Sequence, residues 1–166
     1  MNTRMSEFKL RFAEASDIPL ILRFIKDLAA FEQMTNEVVA TEAILYESLF
    51  VRKVAEVIIG EYQGQPVSFG LFFHNFSTFL GKPGIYLEDL FVKPELRGKG
   101  LGKLMLSFLA KLAVERDCGR LEWWCLDWNE TSIRFYQKMG AVPMDEWTVF
   151  RVCDQALLDL AGKFTE

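Results

Sequence analysis

The residues best suited to chemistry cluster between Tyr86 and Leu104, YLEDLFVKPELRGKGLGKL. Glu88 and Asp89 lie in the middle of an apolar run that reads as a strand. Charges there are costly unless paired, solvated or used. A strand's period of two sends neighbouring side chains to opposite faces, so the two acids cannot share one role unless a bulge intervenes. After a turn at Pro94 comes Arg97-Gly98-Lys99-Gly100-Leu101-Gly102-Lys103. Leu104, Met105, Phe108, Leu109 and Leu112 follow at helical spacing. Glycines ahead of a helix let a ligand approach the backbone. The unpaired N–H groups of the first helical turn favour negative charge. The stretch is therefore suited to holding phosphate. Two familiar phosphate patterns fail on it. A P-loop requires Ser or Thr after Gly102-Lys103, where Leu104 stands, and the dinucleotide pattern requires a third glycine where Lys103 stands.

Other chemistry-capable groups are scattered. Asn129 precedes a helical segment that carries Phe135 and Tyr136; by position alone Tyr136 reads as a core aromatic. Glu32 closes an early helix, where a solvated charge is the plain reading. His74, the only histidine, lies among Phe72, Phe73 and Phe76 and reads as a packed or surface residue. One histidine and scattered cysteines are too few ligands for a metal site, so none is expected.

The elements that must position these groups follow from periodicity. Phe8, Leu10 and Phe12 alternate with Lys9, Arg11 and Ala13 as a half-buried strand. Ser16 can cap the next helix, whose apolar face is Ile18, Ile21, Leu22, Ile25, Leu28 and Ala29; Pro19 is tolerated in its first turn. Thr41 can cap a second helix through Leu49. Val54 to Tyr62 and Val67 to Phe76 read as a hairpin turning at Gln63-Gly64-Gln65. Ile85 to Val92 is the acid-bearing strand. The long helix runs to about Arg116, with Gly119 as its C-terminal glycine. Arg120 to Leu126 is a strand, Thr131 to Met139 a helix capped by Asn129 and stopped at Gly140. Trp147 to Val152 reads as a late strand and Gln155 to Lys163 as a last helix. This alternation predicts an α/β fold with a mixed sheet. The run Phe69, Phe72, Phe73, Phe76 and Phe79 reads as core plus interface.

The 166 residues suffice for one domain with a real core, and no linker or repeat interrupts residues 1–166. A formal net charge of −4 argues against nucleic acid as a partner, because phosphate contacts need a positive surface. No apolar run is long enough to span a membrane, and the segment MNTRMSEFKL lacks the apolar core of a signal peptide. Cys118, Cys125 and Cys153 are odd in number and form no CxxC pair. Reduced thiols in a cytoplasmic protein are the simplest reading.

Arg-x-x-Gly-x-Gly after an acidic apolar strand resembles the acetyl-CoA signature of the GNAT N-acetyltransferase superfamily. Trp128-Asn129-Glu130-Thr131-Ser132-Ile133-Arg134-Phe135-Tyr136 resembles the superfamily's downstream asparagine and helix-tyrosine segment. With Tyr86-Leu87-Glu88-Asp89 and Leu28-Ala29-Ala30-Phe31-Glu32-Gln33-Met34, nearly the whole chain is similar to the diamine acetyltransferases, a branch acting on spermidine, spermine and thialysine. Phe31 stands where the polyamine enzymes often have tyrosine, and Thr131 replaces a common proline.

The resemblance implies a single GNAT domain with a twisted, mostly antiparallel mixed sheet flanked by helices. It implies direct attack of an amine on acetyl-CoA in a ternary complex. The backbone of Leu90, Phe91 and Val92 would hold the pantetheine arm, with an N–H near Leu90 polarising the carbonyl. Residues Arg97, Gly98, Lys99, Gly100, Leu101, Gly102 and Lys103 would cradle the pyrophosphate, and Asn129, Glu130, Thr131 and Ser132 would line the cofactor's other side. Tyr136 would contact the cofactor and protonate the departing thiolate; an ordinary tyrosine, with a pKa of about 10, holds that proton at neutral pH. Glu88 would bind the amine and help remove its proton, directly or through water. Phe31, Glu32 and Asp89 would complete the substrate side. The branch also implies a homodimer. A protein lysine or N-terminal acetyltransferase, and a non-catalytic acetyl-CoA sensor, are the alternative readings.

Overall fold

The computed structural model describes residues 7–164; Met1–Ser6, the start of the segment read for a leader, lie outside them. The described chain forms two compact units, one ending at Cys125 and the other beginning at Leu126.

The first unit is built on a five-stranded sheet in the order β1 (Phe8–Phe12), β2 (Glu56–Tyr62), β3 (Gln65–Ser77), β4 (Lys82–Val92), β5 (Leu121–Trp123). The first three pairings are antiparallel and β4–β5 is parallel, giving the mixed, mostly antiparallel sheet that the alternation and the resemblance implied. α1 (Ile18–Phe31) covers one face. Its Phe24 stacks on Phe69 of β3 at 5.4 Å between ring centroids and packs against Phe91 of β4 at 5.9 Å. α3 (Leu101–Glu115) covers the other face: Phe108 meets Phe12 of β1, and Arg116, just past its end, lies over Phe72 of β3. Strand alternation then assigns the remaining side chains. Phe69, Leu71 and Phe91 share the α1 face, where Ile21, Phe24, Leu45, Leu49 and Ile59 complete a buried core. Gly60, Ser68, Gly70 and Phe72 share the α3 face. A Cβ on Gly60 would stand 2.2 Å from Ser68 Oγ and 2.6 Å from Phe8 Cζ, so only glycine fits.

The helix ends show local chemistry at work. Thr41 Oγ1 accepts from the Ile44 N–H (3.3 Å) and caps α2 (Glu42–Tyr46), which continues as a π-helical turn over Glu47–Val51. Ser16 does not cap α1; Asp17 holds the N-cap position, and its side chain makes no capping bond to the helix. A 3-10 turn at Ala15–Asp17 precedes α1, and the Glu14 N–H donates to Asp17 Oδ2 (2.8 Å), a carboxylate that also binds Arg11. At the end of α3, Asp117 takes the left-handed conformation (φ 53°) expected of Gly119. Gly119 serves a different need: a Cβ there would stand 2.8 Å from Leu80 Cδ1.

In the second unit α4 (Glu130–Lys138) and α5 (Asp154–Ala161) are the regular elements. The late strand expected over Trp147 to Val152 is not formed. The Trp147 N–H donates to Met144 O (3.1 Å), closing a turn, and no ladder among the described residues pairs this stretch. A strand without a partner leaves its backbone groups unsatisfied, whatever its side-chain pattern. No helix among the described residues is long and apolar enough to cross a membrane.

Candidate active site

The pairing of β3 with β4 changes register at the two acids. Leu71 pairs with Asp89 and Phe72 with Leu87, so Glu88 is an extra, unpaired residue. This is a β-bulge. It moves Asp89 onto the α1 face with Leu71, whereas Leu87 lies on the α3 face with Phe72. Without the bulge, Leu87 and Asp89 would share a face. Glu88 at the bulge is exposed and Asp89 is half-buried.

The electrostatics follow from this placement. The Asp89 carboxyl is pushed up to about 6, chiefly by burial and then by the negative charges of Glu88 and Glu32. Glu32, just past the end of α1, is raised by burial. Glu32, Glu88 and Asp89 therefore share one field, and an ionised Asp89 gains from a cation placed beside it. The sequence-based expectation joined these three acids on the substrate side, and the structure brings them together. It also adds groups that sequence reading left out. Glu122 of β5 pairs with Tyr86, and its carboxylate accepts from Asn75 Nδ2 (2.8 Å) and faces Arg120 Nε (2.9 Å). Tyr86 lies on the α1 face against Phe73 and edge-on to Trp124. Its phenol is raised by burial, then by Glu88 and Glu122, and its hydroxyl is buried with no hydrogen-bond partner among the described residues. An isolated Glu in a short strand carried no signal for this; the cross-strand register supplies it.

Beyond the bulge, β4 loses one neighbour. β5 pairs only with Ile85, Tyr86 and Leu87, and its last residue is Trp123. Leu90, Phe91 and Val92 pair with Gly70, Phe69 and Ser68 on one side; no ladder partner holds their other edge among the described residues. Such an edge can accept an extended amide-bearing chain as an additional strand. The Phe91 side chain is 4% exposed and committed to the core, so only its backbone is available for this.

The edge leads into the glycine-rich turn. Pro94–Leu96 forms a 3-10 turn, Gly98 and Gly100 have φ of 74° and 85°, and Gly100 is the N-cap of α3. The first bond of the new helix runs from the Leu104 N–H to Gly100 O (3.1 Å), which leaves the N–H groups of Leu101, Gly102 and Lys103 ahead of it. Among the described residues, none beyond the chain neighbours comes within 4 Å of where a Cβ would stand on Gly98 or Gly100, so the backbone there is open to a ligand. Lys99 and Lys103 are exposed. Positive backbone termini, open glycines and two lysines form a donor set that fits a pyrophosphate. Arg97, the first residue of the expected cradle, also contacts the protein itself. Its Nε donates to Val92 O (3.0 Å), and its guanidinium lies 4.3 Å above the Phe31 ring and 5.6 Å from Phe91.

The second unit carries the other predicted residues. Asn129 Oδ1 accepts from the Ser132 N–H (3.2 Å) and caps α4, as its position predicted. Glu130 pairs with Arg134 one turn on (3.0 Å), so its side chain is held on the helix surface. Thr131 and Ser132 occupy the first turn, and Tyr136 lies on the second with its ring against Phe135. Among the described residues no group of three or more His, Cys, Asp or Glu could hold a metal ion.

The bulged acidic strand, the open strand edge and the glycine-rich helix start follow one another along β4 and the turn after it. The family model described as "Acetyltransferase (GNAT) family" matches residues 24–141, which spans parts of both units. The chain is 36% identical to the thialysine N-epsilon-acetyltransferase of Bos taurus, over 96% of this chain and all of that one. It is 32% identical to an L-ornithine N5-acetyltransferase of Arabidopsis thaliana, covering 90% of this chain and 86% of the relative. An integron cassette protein of V. cholerae has the same fold, with a TM-score of 0.78 and 23% identity over 93% of this chain and 98% of that one. The chain belongs to the GNAT acetyltransferase family.

Proposed function

We propose that this protein transfers the acetyl group of acetyl-CoA to a primary amine of a small diamine, polyamine or lysine-like compound, and that the two compact units act as one catalytic domain over residues 1–166. The observation that carries this reading is the open β4 edge at Leu90–Val92, with a carboxylate-lined bulge at one end and a phosphate-type helix start at the other. Relatives named for thialysine and ornithine support an amine on a short, charged aliphatic chain.

Acetyl-CoA supplies an activated thioester as the acyl donor. Leu90, Phe91 and Val92 hold its amide-bearing arm through their backbone. Gly98 to Lys103 hold its phosphates through N–H groups and Lys charge, and Asn129 to Ser132 line its other side. Glu32 and Asp89 bind the cationic amine. A cationic amine is not a nucleophile, so Glu88 accepts its proton, directly or through water. The N–H near Leu90 polarises the thioester carbonyl. Tyr136 donates a proton to the departing thiolate.

We place the protein in the cytoplasm as a homodimer. Its cysteine usage supports the first, and Phe76, Phe79 and Leu80, exposed apolar residues around the β3–β4 turn, support the second. A sedimentation experiment that finds only monomer removes the dimer. Thiol release from acetyl-CoA, measured against spermidine, spermine, putrescine, thialysine, ornithine, lysine and a basic peptide, tests the activity. Turnover on one small amine is the expected result. Turnover on the peptide alone points to a protein acetyltransferase, and acetyl-CoA binding without any turnover to a sensor; either overturns the proposal.

A further inference from the structure

Arg97 opens the glycine-rich turn, and its charge is the obvious counter-ion for a phosphate. Its surroundings assign it another task. The guanidinium lies over Phe31, its central carbon 4.3 Å from the ring centroid, with the Phe91 centroid at 5.6 Å. Nε is spent on Val92 O at 3.0 Å. Three separate elements meet at this one side chain: the last residue of α1, the last two residues of β4, and the turn that starts α3. Phe31 belongs to the substrate side and Val92 to the donor side of the site, and Glu32, adjacent to Phe31, is one of the acids that raise Asp89.

We infer that Arg97 is a positioning residue, which through its stack on Phe31 ties the glycine-rich turn to the substrate end of α1. The consequence is that the coenzyme loop and the amine-binding end of α1 are held by one contact, so a change at Phe31 weakens acetyl-CoA binding although Phe31 lies on the amine side. Planarity carries this role. A guanidinium stacks on a ring and donates in a fixed fork, whereas an ammonium is a compact charge that does neither well. Lysine at 97 therefore separates the two assignments: it keeps the charge a phosphate needs and loses the stack.

This inference rests on the acetyl-CoA reading above. The test is a calorimetric Kd for acetyl-CoA on the intact chain for wild type, Arg97→Lys, Phe31→Leu, Phe31→Tyr and the double variant Arg97→Lys/Phe31→Leu. Phe31 is 41% exposed, so Phe31→Leu opens no core cavity, and thermal unfolding verifies that each variant is folded. The expected result is about fivefold weaker binding for Arg97→Lys and for Phe31→Leu, the size of one partly desolvated cation–π contact. Phe31→Tyr, which keeps the ring, binds like wild type. The double variant is no weaker than either single one, because both remove the same contact. Arg97→Lys binding like wild type, or a double variant whose loss equals the product of the two single losses, overturns the inference and leaves the proposed function standing. Wild-type protein that does not bind acetyl-CoA overturns both.

Discussion

Replacing Asp89 by Asn isolates the electrostatic cost of the site. The carboxyl rises from an ordinary 3.8 to about 6 on folding. A raised carboxylate pKa means that the folded state binds more protons than the unfolded state between those two values. Stability therefore falls as pH rises through that window, and the loss is complete above the folded value. That rise corresponds to about 3 kcal/mol at pH 7.5, falling to about 1 kcal/mol at pH 4.5, where the folded carboxyl is already neutral. Asn is isosteric and uncharged, so Asp89→Asn removes this penalty. Urea unfolding at both pH values is the assay. Asp89→Asn is expected to be more stable than wild type by up to about 3 kcal/mol at pH 7.5, with the gain shrinking by about 2 kcal/mol at pH 4.5. The same substitution raises the KM for a cationic amine, because the charge that destabilises the empty site is the one that binds the cation. A stability change independent of pH, or a loss at pH 7.5, would refute the argument that burial and the acids Glu88 and Glu32 strain Asp89. An unchanged amine KM would place Asp89 outside the substrate site.

Two other outcomes are open to measurement. Tyr136→Phe should lower turnover by about 10²-fold or more, the lower range for a general acid, and leave the Kd for acetyl-CoA nearly unchanged; unaltered turnover removes Tyr136 from the chemistry. Gly60→Ala forces a methyl group into Ser68 Oγ and the Phe8 ring on the α3 face. It should cost about 1–3 kcal/mol in urea unfolding, and a neutral result would show that Phe8 can swing aside.

Much of the site's scaffolding was legible in the sequence because its signals are local. Gly98 and Gly100 take positive φ next to a helix start, Asn129 and Thr41 cap the helices they precede, and Gly140 (φ 90°) follows the last turn of α4. Each of these is decided by a few neighbouring residues. Local signals also misled. Trp147 to Val152 has the composition of a strand, but a strand exists only where another backbone pairs with it. Ser16 is a common capping residue, but it falls inside a 3-10 turn, and Asp17 takes the N-cap position with its carboxylate turned to Arg11 and the Glu14 N–H.

The sequence by itself determined the order of elements, the glycine-rich turn and the types of residue available: two adjacent acids, a capped helix bearing a tyrosine, and glycines where a ligand must come close. Tertiary pairing decided what those residues can do. The register of β4 on β3 puts a bulge at Glu88 and turns Asp89 towards α1. The early end of β5 leaves an edge of β4 open. The meeting of α1, β4 and the turn before α3 lays Arg97 on Phe31. These are contacts between residues far apart in the chain. Their energies depend on burial and distance, which a residue's type and its near neighbours do not specify.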